Sequence, residues 1–328
     1  MRGLILQVVA LQTLGGAIAS VLLLPALLLP ALMLLVGCSQ QALLPQAPQL
    51  DPQDATVRLA LNSGLRLATV RVSTFDLLIL NTHANRRDAG QTESKQTTAQ
   101  SFPSARLRIY LAGDGTPWLG QKITAKPGPR NPVALRMLLQ DPEPGWFIGR
   151  PCYHQRLQSN ACNPALWTFE RYGERVLQGL EQAIERLLSD KRYAKEQARV
   201  TLVGYSGGGT LAVLLGQRLG AVDEVITVAA PLDVNAWTAH HQYTPLLGSQ
   251  NPADMPRRFS VRELHLQGNR DREVPPATTA AYFSHPGHKR AGVVERIITH
   301  NDSHRCCWNR RWPPEEVRVF SKLRGTEQ

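Results

Sequence analysis

From about residue 57 onward the chain alternates short apolar runs with amphipathic stretches. β-Branched and apolar residues fill 65–72, 75–80 and 106–111, each run bounded by polar or glycine-containing segments, and this predicts three strands. The polar stretch 86–101 between the second and third predicts a loop. Val133, Leu135, Met137 and Leu138 recur at helical spacing behind Pro132, so a helix is predicted over 131–140, followed by a short buried strand at 146–148. Trp167, Tyr172, Val176, Leu180, Ile184 and Leu187 form one apolar stripe, with Glu174, Glu181 and Glu185 on other faces, which predicts an amphipathic helix across 168–189. Further strands are predicted at 199–203, 224–228, 261–266 and 293–299, with a small-residue helix at 209–219. Strands separated by helices of this size predict an α/β fold, a mostly parallel sheet with helices on both faces, in a single domain over 57–328 without internal repeats.

The N-terminus breaks this pattern. Arg2 precedes residues 3–37, which carry no charged side chain and end at Leu35-Val36-Gly37-Cys38. A small residue before a single Cys at the end of an apolar region resembles a bacterial lipoprotein signal peptide. That resemblance implies removal of 1–37 and lipidation of Cys38. Several acyl chains would then give the anchoring that one chain gives only marginally. An uncleaved membrane-spanning anchor is the alternative. Ser39 stands where lipoproteins retained at the inner membrane usually have Asp, so the resemblance implies an outer-membrane protein facing the periplasm. Pro45, Pro48 and Pro52 among Gln, Asp and Ala predict a flexible tether over 38–56.

Composition adds two limits. With 43% hydrophobic and 19% charged residues the chain can bury a large core, which excludes a disordered or collagen-like polymer. Lys and Arg number 37 against 26 Asp and Glu, a net charge of +11. No zinc-finger spacing, RRM signature or basic heptad accompanies this charge, so it reads as a solvated face suited to an anionic membrane surface and not to nucleic acid. Export makes disulfides admissible. Cys152 and Cys162 flank a short polar loop and suit a local bridge. Cys306 and Cys307 are adjacent, and Cα atoms about 3.8 Å apart across a trans peptide fall below the usual disulfide separation of about 4.4 to 6.8 Å, so their pairing is left unassigned.

Candidate chemistry centres on Gly204-Tyr205-Ser206-Gly207-Gly208, between a predicted strand and a predicted helix. This is the G-x-S-x-G nucleophile elbow in its strand-turn-helix context, where larger flanking residues would collide with the neighbouring elements. A serine hydroxyl needs a partner base. The acid candidate is Asp271 in Gly268-Asn269-Arg270-Asp271-Arg272-Glu273-Val274-Pro275, with Asp233 read instead as a helix N-cap. His304 is preferred to His300 as base, because His300 follows its strand almost immediately and His304 has a loop's reach. His265 reads as structural, and the adjacent His240 and His241 lack a third metal ligand.

The order Ser206, Asp271, His304 resembles the α/β-hydrolase superfamily across roughly residues 60–325. A narrower resemblance, to proteobacterial α/β-hydrolase lipoproteins, rests on Gly113-Asp114-Gly115, Arg150-Pro151-Cys152, Leu232-Asp233, Trp237-Thr238 and His304-Arg305-Cys306-Cys307-Trp308. These resemblances imply a catalytic triad, with oxyanion donors from the Gly207 amide and from Asp114 or Gly115. The triad predicts hydrolysis of a small-molecule ester, thioester or amide through an acyl-enzyme, without metal or organic cofactor, and a carboxylesterase-like activity is expected because the sequence shows no evident second peptidase domain and only modest insertion length for a lipase lid. A non-catalytic envelope lipoprotein that binds through a hydrolase scaffold is the rival class. The few aromatic residues, 6% of the chain, do not indicate a broad aromatic channel. The expected pocket loops are 121–163 and 233–256.

Overall fold

The computed structural model describes residues 50–82, 106–157, 159–189, 198–258, 260–286 and 294–322. These all fall in one unit, Ala47–Gln328. The apolar segment, Cys38 and the predicted loop at 86–101 lie outside the described residues. No helix among the described residues is long and apolar enough to cross a membrane.

Helix α1 (Ala55–Asn62) is capped by Asp54, whose carboxylate accepts the amides of Thr56 and Val57 at 2.8 and 3.2 Å. Strands β1 (Ala68–Val72) and β2 (Phe75–Asn81) form a hairpin, and β3 (Arg106–Leu111) follows. A two-stranded ribbon, β4 (Trp118–Leu119) and β5 (Lys122–Ile123), precedes α2 (Val133–Gln140), β6 (Gly145–Ile148) and α3 (Glu174–Leu188). Then come β7 (Arg199–Tyr205), α4 (Gly207–Arg218), β8 (Val222–Val228), α5 (Val234–His240), β9 (Arg262–Gly268), α6 (Ala280–Ser284), β10 (Val294–Thr299) and α7 (Glu315–Lys322).

The eight-stranded sheet has the order β1-β2-β6-β3-β7-β8-β9-β10. Only β2 runs against its neighbours, and the six strands from β6 to β10 are parallel. Alternating side chains feed two cores, as a sheet covered on both faces requires. Leu107, Ile109 and Leu111 of β3 join Val176, Leu180, Ile184 and Leu211 of α3 and α4. Tyr110 faces the opposite core, with Val57 of α1, Leu135 of α2 and Phe320 of α7.

Two elements depart from the sequence reading. Folded structure begins before 57: Leu50 bridges to Gln155, and Asp51 N–H donates to the His154 carbonyl at 2.8 Å. Residues 50–56 are therefore tied to the domain by backbone bonds and the Asp54 cap, interactions that the prolines did not advertise. The long helix starts at Glu174 rather than 168. Trp167 closes a 3-10 turn (Pro164–Trp167), and Gly173 stands at the helix N-cap, so Trp167 and Tyr172 precede the helix whose stripe they resemble.

Candidate active site

Strand β7 ends at Tyr205 and α4 opens at Gly207, leaving Ser206 at the turn with φ 54° and ψ −130°. That backbone is strained for a side chain with a Cβ, and the cost is of order 1–3 kcal/mol. The surrounding packing enforces it. A Cβ on Gly204 would lie 2.2 Å from the Gly208 carbonyl oxygen, and one on Gly208 would lie 2.3 Å from the Leu111 oxygen. With both glycines in place, α4 approaches β3 and β7 closely, and the Ser206 amide donates to the Val228 carbonyl at 2.8 Å.

Asp271 follows β9 in a tight turn, its amide bonded to the Gly268 carbonyl. Its side chain is fully buried. Oδ1 accepts the amides of Glu273 and Val274 at 2.9 and 2.7 Å, and these two bonds leave Oδ2 aimed at His304 Nδ1, 2.9 Å away. His304 Nε2 lies 3.0 Å from Ser206 Oγ. The loop that carries His304 is tied back at several points. Arg270 N–H donates to the Asp302 carbonyl, Trp308 Nε1 to the Ser303 carbonyl at 2.9 Å, and Tyr205 Oη to the His304 carbonyl at 2.6 Å. Burial pushes the Tyr205 hydroxyl pKa up, aided by the Glu273 and Asp271 charges, so it keeps the proton that it donates. The imidazole needs an acceptor at Nδ1 to leave Nε2 free for the serine proton, and a carboxylate supplies it.

His300 stands apart, exposed, with Nδ1 3.5 Å from the Asn269 side-chain Nδ2. Asp233 caps α5, accepting the Ala236 amide at 3.0 Å. His265 is buried between Thr227 Oγ1 at 2.8 Å and Glu263 Oε2 at 3.1 Å. His241 Nε2 and Trp237 Nε1 both lie against the Glu273 carbonyl, at 2.8 and 2.7 Å, so this histidine serves the turn that holds Asp271. Among the described residues no group of three or more His, Cys, Asp or Glu could hold a metal ion.

Gly207 opens α4, where first-turn amides have no intrahelical acceptor. Gly113-Asp114-Gly115 follows β3 beside it, and a Cβ built on Gly113 would come 3.5 Å from Ser206 Cβ. The Asp114 side chain packs beside Gly207 in a cluster with Arg150, Arg171 and Tyr172. Burial would raise its pKa, but the Arg150 and Arg171 charges and the Tyr172 hydrogen bond keep it below the ordinary carboxylate range. Sequence reasoning gave Arg150, Arg171 and Tyr172 no part in the site, reading Tyr172 only as a position in the long helix's apolar stripe. The signal available was the Arg150-Pro151-Cys152 segment, which could not be connected to Asp114 without the fold.

A cavity of about 1010 Å³ opens over Ser206 and His304. Its walls include Trp118, Phe147, Phe169, Tyr205, Trp237 and Tyr243. The expectation of no broad aromatic channel is corrected here: aromatic residues are few, but the fold gathers them from distant segments onto one site. Glu273 borders the cavity, held by Arg305 at 2.9 Å and 3.9 Å from His304 Nε2. Cys152 and Cys162 are bonded, with Cα atoms 5.7 Å apart. Cys306 and Cys307, whose pairing the sequence left unassigned, are bonded to each other, with Cα atoms 3.3 Å apart.

No protein-family model matches the chain, and no curated protein matches its sequence. Solved structures do resemble it. An esterase of Pyrococcus furiosus superposes with a TM-score of 0.51 at 12% identity, over 81% of this chain and 95% of that one. A lidless α/β serine hydrolase of Xanthomonas campestris gives 0.42 at 13% identity, over 73% and 85%. An α/β serine hydrolase homologue of Coxiella burnetii gives 0.42 at 14%, over 73% and 88%. The chain has the α/β-hydrolase fold, with a mostly parallel eight-stranded sheet.

Proposed function

We propose that the chain is a serine hydrolase that cleaves a carboxylic ester, with thioesters or amides as related substrates, through an acyl-enzyme. One observation carries the reading: an unbroken file of hydrogen-bond distances, 2.9 Å from Asp271 to His304 and 3.0 Å from His304 to Ser206, beneath an open cavity. In this scheme His304 Nε2 takes the Ser206 proton as Oγ attacks the substrate carbonyl carbon. The tetrahedral oxyanion is met by the Gly207 amide and an amide of the Gly113-Asp114-Gly115 turn. Collapse expels the alcohol, which receives its proton from His304. Water then attacks the acyl carbon with His304 again as base, and the acid leaves as Ser206 is restored. Asp271 accepts the Nδ1 hydrogen bond and holds the imidazole in place.

The same proposal places the enzyme in a bacterial envelope, acylated at Cys38 and facing the periplasm, on the strength of the N-terminal sequence alone. A fluorophosphonate probe tests the chemistry. Full-length protein should be labelled, a Ser206→Ala variant should not, and a series of p-nitrophenyl esters should be hydrolysed by the first and not the second. Absence of labelling in the folded wild-type protein refutes the reading. Radiolabelled palmitate incorporation that persists in Cys38→Ser would refute the anchor.

A further inference from the structure

Asp114 is an unexpected residue to find beside an oxyanion site, because a carboxylate there opposes the charge that develops during reaction. Its surroundings resolve the difficulty. Oδ1 is bonded to Arg150 Nη1, while Oδ2 accepts from Tyr172 Oη at 2.6 Å and Arg171 Nη1 at 3.2 Å. The Asp114 backbone carbonyl accepts from Tyr153 Oη at 2.9 Å. Arg150 is held in turn by the Arg171 carbonyl and lies 5.6 Å from the ring centroids of both Tyr153 and Tyr172. All four partners are buried. Two guanidiniums against one carboxylate leave this cluster with an excess of one positive charge beside the turn.

The carboxylate also touches the other half of the site. A Cβ on Gly207 would fall 1.9 Å from Asp114 Oδ1 and 2.6 Å from Tyr172 Oη, so the residue after the nucleophile is glycine because Asp114 fills the space a side chain would need. With its side chain anchored on one side and its carbonyl on another, the Asp114 peptide has little rotational freedom left. Arg150 and Tyr153, two of the anchors, flank Cys152, which the bond to Cys162 fixes in place.

We infer that Asp114 is a positioning residue: clamped by Arg150, Arg171, Tyr172 and Tyr153, it locks the Gly113-Asp114-Gly115 turn against Gly207 so that their amides converge on the substrate's carbonyl oxygen. The inference rests on the hydrolase reading. Donors fixed in advance accelerate reaction because they need not reorganise as charge appears, and losing one such donor costs about 10²–10³ in kcat. Loosening the clamp acts on the same term, so it lowers kcat while leaving KM for a small neutral ester nearly unchanged.

The test uses Asp114→Asn, which keeps the shape but presents an amide donor to groups that are already donors. Tyr172→Phe, which removes one hydroxyl, is the milder companion should Asp114→Asn fail to fold. For Asp114→Asn, kcat on p-nitrophenyl acetate should fall about 10- to 100-fold with KM within threefold, and for Tyr172→Phe about 3- to 10-fold. Affinity for a trifluoromethyl ketone, whose adduct with Ser206 carries an oxyanion, should fall by the same factor as kcat/KM. Folded variants with wild-type kcat, or losses carried by KM with unchanged inhibitor affinity, overturn the inference and leave the hydrolase reading intact. A wild-type protein that neither hydrolyses esters nor accepts a fluorophosphonate overturns both.

Discussion

Replacing Asp271 by Asn probes the proposed chemistry most sharply, because the surrounding bonds dictate how the new side chain must sit. Oδ1 of Asp271 accepts two backbone amides, from Glu273 at 2.9 Å and Val274 at 2.7 Å. An asparagine oxygen can satisfy both, so it will occupy that position, and the amide NH₂ must then face His304 Nδ1, 2.9 Å from the present Oδ2. A donor there forces Nδ1 to become the acceptor and moves the imidazole proton to Nε2, where it blocks uptake of the Ser206 proton. The same exchange in a serine protease triad lowers kcat by about 10⁴, equivalent to about 5 kcal/mol of barrier. Stability should change little, about 1 kcal/mol, since only one hydrogen bond changes character. Steady-state kinetics on p-nitrophenyl butyrate together with a thermal melt give both numbers. A folded Asp271→Asn protein retaining more than a tenth of wild-type kcat would refute the assignment of Asp271 as the group that sets the tautomer.

Three further outcomes are expected. His304→Ala should lower kcat by about 10⁴ or more, whereas His300→Ala should stay within twofold; comparable losses from both, read in the same assay, would overturn the choice of base. Stability should decline with acid. Burial opposes the charge on Glu263, but His265, Arg257 and Tyr282 outweigh it and bring its pKa from 4.5 to about 2, so its contribution is complete above pH 4.5 and drains away as pH falls towards 2. Burial also lowers the pKa of His265 below its ordinary 6.5, so the unfolded chain binds a proton there that the fold refuses, and stability falls further as pH drops through that region. Urea midpoints that stay level between pH 7 and pH 3 would contradict both. Finally, Cys152 and Cys162 lie 10 residues apart, and Cys152→Ser with Cys162→Ser should cost about 3 kcal/mol in denaturant unfolding by the loop-entropy relation; an unchanged midpoint would show that the bond constrains nothing.

The parts of this molecule that sequence made legible are those governed by local sterics. The elbow around Ser206 could be read because Gly204 and Gly208 must be small wherever a helix doubles back on its strand, and the structure shows the close carbonyls responsible. The parallel core could be read from the mostly apolar runs of β7 and β8, which the structure buries on both faces. Asp233 could be read as a cap for the same local reason. What stayed hidden depends on distance along the chain. Helix α1 follows prolines that signal a tether, and only its contact with the domain shows otherwise. Trp118, Phe169, Trp237 and Tyr243 have no mutual pattern in sequence, yet they share one cavity. Asp114 meets Arg150, Arg171 and Tyr172 across 36, 57 and 58 residues, a separation that no periodicity or motif spans.

The three reacting side chains issue from the ends or following loops of β7, β9 and β10, whereas much of the cavity wall is drawn from 116–121, 129–134 and 237–246. The chemistry and the choice of what enters it are therefore inherited through different stretches of chain. On the hydrolase reading, exchanging the wall segments would change which substrates are admitted while the sheet that aligns Ser206, His304 and Asp271 went on unaltered.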